Sequence, residues 1–121
     1  MVGRLGTSAD ILITESMLGK VLETIDSMLL ESPLAGIGLD GEVVTDDQGS
    51  YYRIDGITDV APIGLSIGSS EGGTEPTDDD LRTFKKMLDR GILLKVDIYA
   101  HQFSFYLVDE EVRDATVLFM E

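Results

Sequence analysis

The side chains that could carry chemistry are few and scattered along the chain. His101 is the single histidine, cysteine is absent, and no serine lies in a recognisable pattern with a base and an orienting acid. The carboxylate clusters Asp46-Asp47 and Asp78-Asp79-Asp80 contain ligand types that calcium and magnesium use, but neither has the spacing and closing glutamate of an EF-hand loop. These patterns favour a solvated histidine at a turn, a polar turn and a helix cap.

Two glycine clusters resemble phosphate-binding loops only superficially. Gly36-Ile37-Gly38 is not followed by a helix with a third glycine, and the segment 68–73 lacks the Gly-Lys-Ser/Thr ending of a P-loop. The formal charge of −14, from 23 acidic and 9 basic residues, also repels phosphate. The sequence therefore argues against nucleic acid and anionic membrane surfaces as partners. The excess of acidic residues favours a solvated acidic surface, and the alternative is an acidic face that attracts a basic partner protein.

A chain of 121 residues has the length of one domain, so we expect residues 1–121 to fold together, with residues 1–9 disordered. Apolar residues make up 43% of the chain, which is enough for a core without disulfides or metals. The start of the chain lacks the apolar run of a signal peptide, and no stretch approaches the length of a membrane span. A cytoplasmic location is the expectation.

The hydrophobic pattern predicts an α+β fold. A first helix is expected over Thr14–Leu30, with Thr14 as N-cap and Leu22 and Ile25 in the middle of its buried stripe. A second helix is expected over Thr77–Arg90, with Asp80 acting only as a capping residue. The β-rich runs predict the order β-α-β-β-β-α-β-β-β, in a mixed, mainly antiparallel twisted sheet flanked by two helices. The strands are expected at residues 11–13, 35–44, 50–60, 63–68, 94–98, 103–107 and 115–120.

The order of elements and two short motifs resemble the MPN/JAMM family of zinc-dependent isopeptidases, which remove ubiquitin-like modifiers. Residues 32–41 (SPLAGIGLDG) are similar to the family's glycine-containing motif after the first helix. Residues 62–71 (PIGLSIGSSE) and 76–81 (PTDDDL) are similar to the strand, loop and helix start that carry its zinc ligands. The resemblance covers roughly residues 10–100 and implies the MPN/JAMM fold.

The same resemblance implies that the family's catalytic residues are missing. Its two zinc-binding histidines match Gly68 and Ser70, and its catalytic glutamate matches Leu34. Thr77 matches the family's serine and Asp80 its zinc-binding aspartate, although the spacing from Ser70 to Asp80 is one residue short. Catalytic zinc needs three protein ligands, so the resemblance implies a pseudoenzyme without zinc. Such a domain would act as a scaffold, through a protein partner or self-association.

Two other functions compete with this interpretation. One is a metal-dependent isopeptidase-like or peptidase-like hydrolase that uses Glu71, Asp80 and His101 as unorthodox ligands. The other is a small-ligand-binding protein that uses a glycine-lined groove around residues 68–73.

Overall fold

The computed structural model describes residues 9–47 and 49–120. They form two helices and an eight-stranded sheet. The helices are α1, Glu15–Leu29, and α2, Asp78–Met87. The strands are β1 (Ile11–Thr14), β2 (Leu34–Asp46), β3 (Gly49–Thr58), β4 (Gly64–Ser69), β5 (Gly91–Asp97), β6 (Gln102–Val108), β7 (Val112–Asp114) and β8 (Val117–Met120).

The sheet is strongly curled, and its two edge strands are consecutive in the chain. The strand order is β7-β6-β5-β4-β2-β3-β1-β8, so β7 and β8 lie at opposite edges although two residues connect them. The connection is held at both ends, because the Ala115 N–H donates to Phe105 O and Thr116 O accepts from the Asp10 N–H. The rings of Phe103 and Phe105 on β6 also pack against Phe119 on β8, with centroids 6.1 and 6.4 Å apart.

Each face of the sheet is covered by one helix. On the α1 face, Val21 and Ile25 are fully buried against strand residues that include Ile13 and Leu94. On the α2 face, Phe84 is fully buried with Leu65, Ile67, Leu93, Tyr106 and Val108. Neighbouring residues of a strand point to opposite faces. A central strand such as β5 therefore serves both cores, with Leu94 and Val96 towards α1, and Leu93 and Lys95 towards α2.

The structure confirms the α+β class with two helices and a mixed sheet. The Thr14 N-cap is also as expected, since its hydroxyl accepts from the Met17 N–H at 3.1 Å. The predicted order holds through β6, after which the chain forms two short strands, because part of the expected polar connection pairs with β6 as β7. Helix α2 ends at Met87 rather than Arg90, since Leu88 is already extended.

One further expectation needs correction. Leu22 is only partly buried, and the fully buried residues of α1 are Val21 and Ile25. The predicted disorder of residues 1–9 falls mostly on residues 1–8, outside the described part, but Ala9 is buried. Within residues 9–47 and 49–120, neither helix has the length and apolar character needed to cross a membrane.

Candidate functional site: the cavity beside helix α2

A cavity of about 680 Å3 lies on the α2 face of the sheet. Its lining includes residues 34–38 of β2 and alternate residues of β4, among them Gly36 and Ile67, which stand opposite each other. Because Gly36 has no side chain, the floor is open at that point. The wall is the exposed side of α2, and the rim is formed by the end of β3 and the loop after β4. The wall and rim residues are Thr58, Asp59, Ser70, Glu71, Gly72, Thr77, Asp79, Thr83 and Met87.

A buried ion pair lies at the base of this cavity. The Lys95 Nζ is 2.5 Å from the Asp80 Oδ2, and the two side chains are 2% and 7% exposed. The same Oδ2 accepts the Thr77 N–H at 2.9 Å, while the Thr77 Oγ1 accepts the Asp80 N–H at 3.1 Å. Asp80 is therefore both the capping-box residue that the sequence predicted and the counter-charge of Lys95. The expectation that it only caps α2 is wrong.

Sequence reasoning missed Lys95, although a signal was present. Lys95 interrupts the apolar strand Gly91–Asp97, which lies in the middle of the sheet and is buried from Gly91 to Val96. A lysine in such a strand needs a buried counter-charge, since an isolated charge is costly to remove from water. The sequence did not identify Asp80 as that counter-charge, since only the structure shows that Asp80 is buried while the adjacent Asp78 and Asp79 are exposed.

The structure brings together four of the five positions matched to the family's site. Leu34, Ser70, Thr77 and Asp80 all line the cavity. Gly68 does not, because a Cβ built there would lie 2.6 Å from Ile25 Cγ2, on the α1 side of the sheet. The residues of β4 that face the cavity are instead Leu65, Ile67 and Ser69. A side chain at position 68 would point into the α1 core rather than towards Asp80.

The unorthodox metal ligands considered from the sequence are not brought together. Glu71 and Asp80 line the cavity beside α2. His101 is an exposed turn residue with a φ of 55°, and it borders a separate cavity of about 280 Å3 between α1 and β6. Nowhere in the described part of the chain do three His, Asp or Glu side chains meet in a group that could hold a metal ion.

Hydrogen bonds hold the glycine-rich loop after β4 against β5 and β6. The Gly73 N–H donates to Asp97 Oδ2 at 2.8 Å, and the Tyr106 hydroxyl donates to Thr74 O at 2.6 Å. Gly72 has a φ of +77°, and a Cβ there would lie 3.0 Å from both Asp97 carboxylate oxygens. The backbone N–H of Gly73, followed by that of Ala100, lowers the pKa of Asp97. The glycines of this loop thus wrap a carboxylate of the protein itself.

Solved structures share this architecture. A structure described as a metalloprotease-like JAMM zinc site in the proteasome and signalosome superimposes with a TM-score of 0.59 and 16% identity, over 89% of this chain and 97% of that one. The fold is JAMM-like. Protein DSY2949 from Desulfitobacterium hafniense, solved in solution, has a TM-score of 0.66 and 12% identity over 92% and 93% of the two chains. No protein-family model matches the sequence, and comparison with curated proteins finds no match.

In this JAMM-like fold the cavity runs along an unpaired stretch of sheet edge. Residues 34–39 of β2 pair with β4, and residues 38–46 pair with β3. Strand β3 ends at Thr58, opposite Gly38, and the chain then crosses so close that Val60 O would lie 1.4 Å from a Cβ at Gly38. Residues 34–37 therefore have a strand on one side only, within the described structure. Their open side borders the cavity together with Met28 and Asp59.

Proposed function

We propose that this JAMM-like domain is a non-catalytic protein-interaction module and that the cavity beside α2 is its binding surface. The observation that carries the proposal is the position of the Lys95 ammonium against the Asp80 carboxylate. Asp80 matches the zinc-binding aspartate of the family, so Lys95 supplies the positive charge that a metal ion would otherwise supply at this carboxylate.

The residues present do not fit a catalytic zinc ion. Lys95 Nζ and the Thr77 N–H already occupy Asp80 Oδ2, and an ammonium at 2.5 Å would repel a second cation there. Gly68 faces α1, and Ser70 offers a hydroxyl where zinc ordinarily takes imidazole, thiolate or carboxylate ligands. Leu34, at the position matched to the catalytic glutamate, cannot act as a base. We therefore propose a domain without zinc and without isopeptidase activity.

Exposed apolar side chains beside the cavity support an interaction role. Leu34 is 65% exposed at the start of β2, and Met87 is 46% exposed at the end of α2. Both line the cavity, which is too open and too acidic at its rim to resemble a packed core. Large apolar groups that surround an accessible concave surface are typical of binding sites for another molecule. A protein partner or a second copy of the chain would cover them.

A cleavage assay tests the absence of catalysis. The purified protein is incubated with a linear ubiquitin-like fusion, with and without added zinc, and the products are separated by gel electrophoresis. We expect no cleavage in either condition. Zinc-dependent cleavage by the wild type, lost in an Asp80→Asn variant of equal helical content by circular dichroism, would contradict the proposal.

A further inference from the structure

We propose that the base of the cavity beside α2 binds a small neutral molecule with several hydroxyl groups, of the size of a monosaccharide or polyol, through Lys95 and Asp80. This inference goes beyond the proposed interaction role, because it concerns the polar base of the cavity rather than the exposed apolar side chains beside it. It is carried by hydrogen-bonding groups of the buried ion pair that no described residue satisfies.

The Lys95 ammonium keeps two donors for a ligand. An ammonium carries three N–H donors and no acceptor. The one acceptor of Lys95 among the described residues is Asp80 Oδ2, at 2.5 Å. The lysine side chain is 2% exposed and lines the cavity. Buried donors are nearly always satisfied, so the two remaining N–H groups call for acceptors from a molecule in the cavity.

Asp80 adds an acceptor beside these donors. Its Oδ2 accepts from Lys95 Nζ and from the Thr77 N–H, whereas its Oδ1 accepts from no described residue. The Thr77 Oγ1 accepts the Asp80 N–H and retains its own proton as a further donor. A ligand group at this point must therefore both accept from the ammonium and donate to the carboxylate. A hydroxyl does both, and it reproduces the bonds that a water molecule would make there.

The charges of the cavity favour a ligand without net charge. The base is neutral overall, because Lys95 and Asp80 compensate each other. A cation at the base would be repelled by the ammonium. An anion would have to pass Asp59 and Glu71, which line the cavity, are exposed and have no ion-pair partner among the described residues. Neutral sugars and polyols avoid both repulsions.

The rest of the lining suits a ligand with several hydroxyl groups. Side-chain hydroxyls from four elements or their ends line the same cavity, those of Thr58, Ser69, Ser70, Thr77 and Thr83. Each can donate as well as accept, so each can pair with a ligand hydroxyl in either direction. Leu65 and Ile67 add apolar surface for the C–H groups of the ligand. The volume of about 680 Å3 lies within the range of small-molecule sites.

An amide-detected NMR titration tests the proposal. The probes are D-glucose, D-ribose and myo-inositol, with acetamide as a neutral probe without hydroxyls and gluconate as an anionic one. Lys95→Met/Asp80→Asn removes both buried charges together, so that neither is left unpaired. His101→Gln is the matched control, because His101 borders a separate cavity.

We expect at least one hydroxylated probe to shift the amide signals of Thr77 and Asp80 saturably, with a Kd of about 1–10 mM, in the wild type and in His101→Gln. The same probe should bind the double variant at least about tenfold more weakly. If a sugar binds, its methyl glycoside identifies the source of the ligand. A glycoside that binds equally well supports a glycan on a partner, and one that does not bind supports a free sugar.

Three results would overturn the proposal: binding of acetamide or gluconate but of no hydroxylated probe, unchanged binding to the double variant, or no saturable shift in the wild type. If the double variant fails to fold, the position of the shifted signals in the wild type decides. Shifts confined to residues that line the cavity support the site, and shifts centred elsewhere contradict it. None of these results depends on the cleavage assay, so the loss of this site would leave the non-catalytic function standing.

Discussion

Lys95 Nζ and Asp80 Oδ2 lie 2.5 Å apart at the base of the cavity and join the central strand β5 to the first turn of α2. The pair is buried on both sides, so each charge depends on the other for compensation. Through Thr77, Asp80 also fixes the N-terminus of α2. A single carboxylate thus positions the helix that forms the cavity wall and balances the one lysine beneath it.

Removing the charge of Asp80 should therefore be costly. We expect Asp80→Asn to lower the free energy of unfolding by about 3–5 kcal/mol, because it leaves the Lys95 ammonium buried without a counter-charge. The matched control is Asp79→Asn, which removes an exposed carboxylate from the same helical turn and should cost less than about 1 kcal/mol. Urea denaturation measures both. Equal small effects of the two variants would show that Asp80 does no more than cap the helix.

The placement of Gly68 against α1 leads to a second prediction. A methyl group at position 68 would lie 2.6 Å from Ile25 Cγ2, so Gly68→Ala should destabilise the protein by about 1–3 kcal/mol through overpacking. Gly36→Ala is the matched control, since its nearest neighbour is a backbone oxygen at 3.8 Å. Thermal denaturation compares the two. A Gly68→Ala variant as stable as Gly36→Ala would mean that position 68 does not face the helix.

The burial of the α1 residues predicts how much stability each contributes to the core. Ile25 is fully buried and Leu22 only partly, so Ile25→Ala should cost about 2–5 kcal/mol and Leu22→Ala clearly less. Denaturant midpoints of the two variants measure the difference. A larger loss for Leu22→Ala would contradict the rotation of α1 seen in the structure.

The loop after β4 should respond to pH through Asp97. Hydrogen bonds from the Gly73 and Ala100 N–H groups hold the pKa of Asp97 below its ordinary value of 3.8. The stabilisation they provide is therefore complete above the unfolded pKa and is lost as the pH falls through the lower folded pKa. The amide shift of Gly73, followed by NMR, should titrate with a midpoint below 3.8, and Asp97→Asn should abolish that transition. A midpoint at or above 3.8 would contradict these hydrogen bonds.

Local signals in the sequence were enough for much of this fold. The Thr14 and Thr77 caps and the existence of strands β5 and β6 depend on neighbouring residues, and each was found correctly. The predicted alternation in β5 was wrong, because this strand is buried on both faces from Gly91 to Val96 and ends before Ile98. The long-range relationships were not accessible in this way. The parallel pairing of β1 with both β3 and β8 joins residues distant in the chain, and so does the contact between Lys95 and Asp80.

The site illustrates the same limit. Ungapped matching to a motif assigned Gly68 to a metal position, but the face on which a strand residue lies changes with a shift of one residue. The strand pairing shows that Ile67 and Ser69, not Gly68, face the cavity. The open edge at Gly36 could not be predicted from the sequence either, because it depends on where β3 ends relative to β2.

The zinc content of the purified protein tests the central claim most directly. The wild type is incubated with excess zinc, dialysed extensively and analysed by elemental mass spectrometry, with Asp80→Asn as the comparison. If Lys95 takes the place of a cation beside Asp80, both proteins should retain only trace zinc that does not scale with protein concentration. One zinc ion per wild-type chain that survives dialysis and is lost in Asp80→Asn would contradict the proposal of a non-catalytic domain.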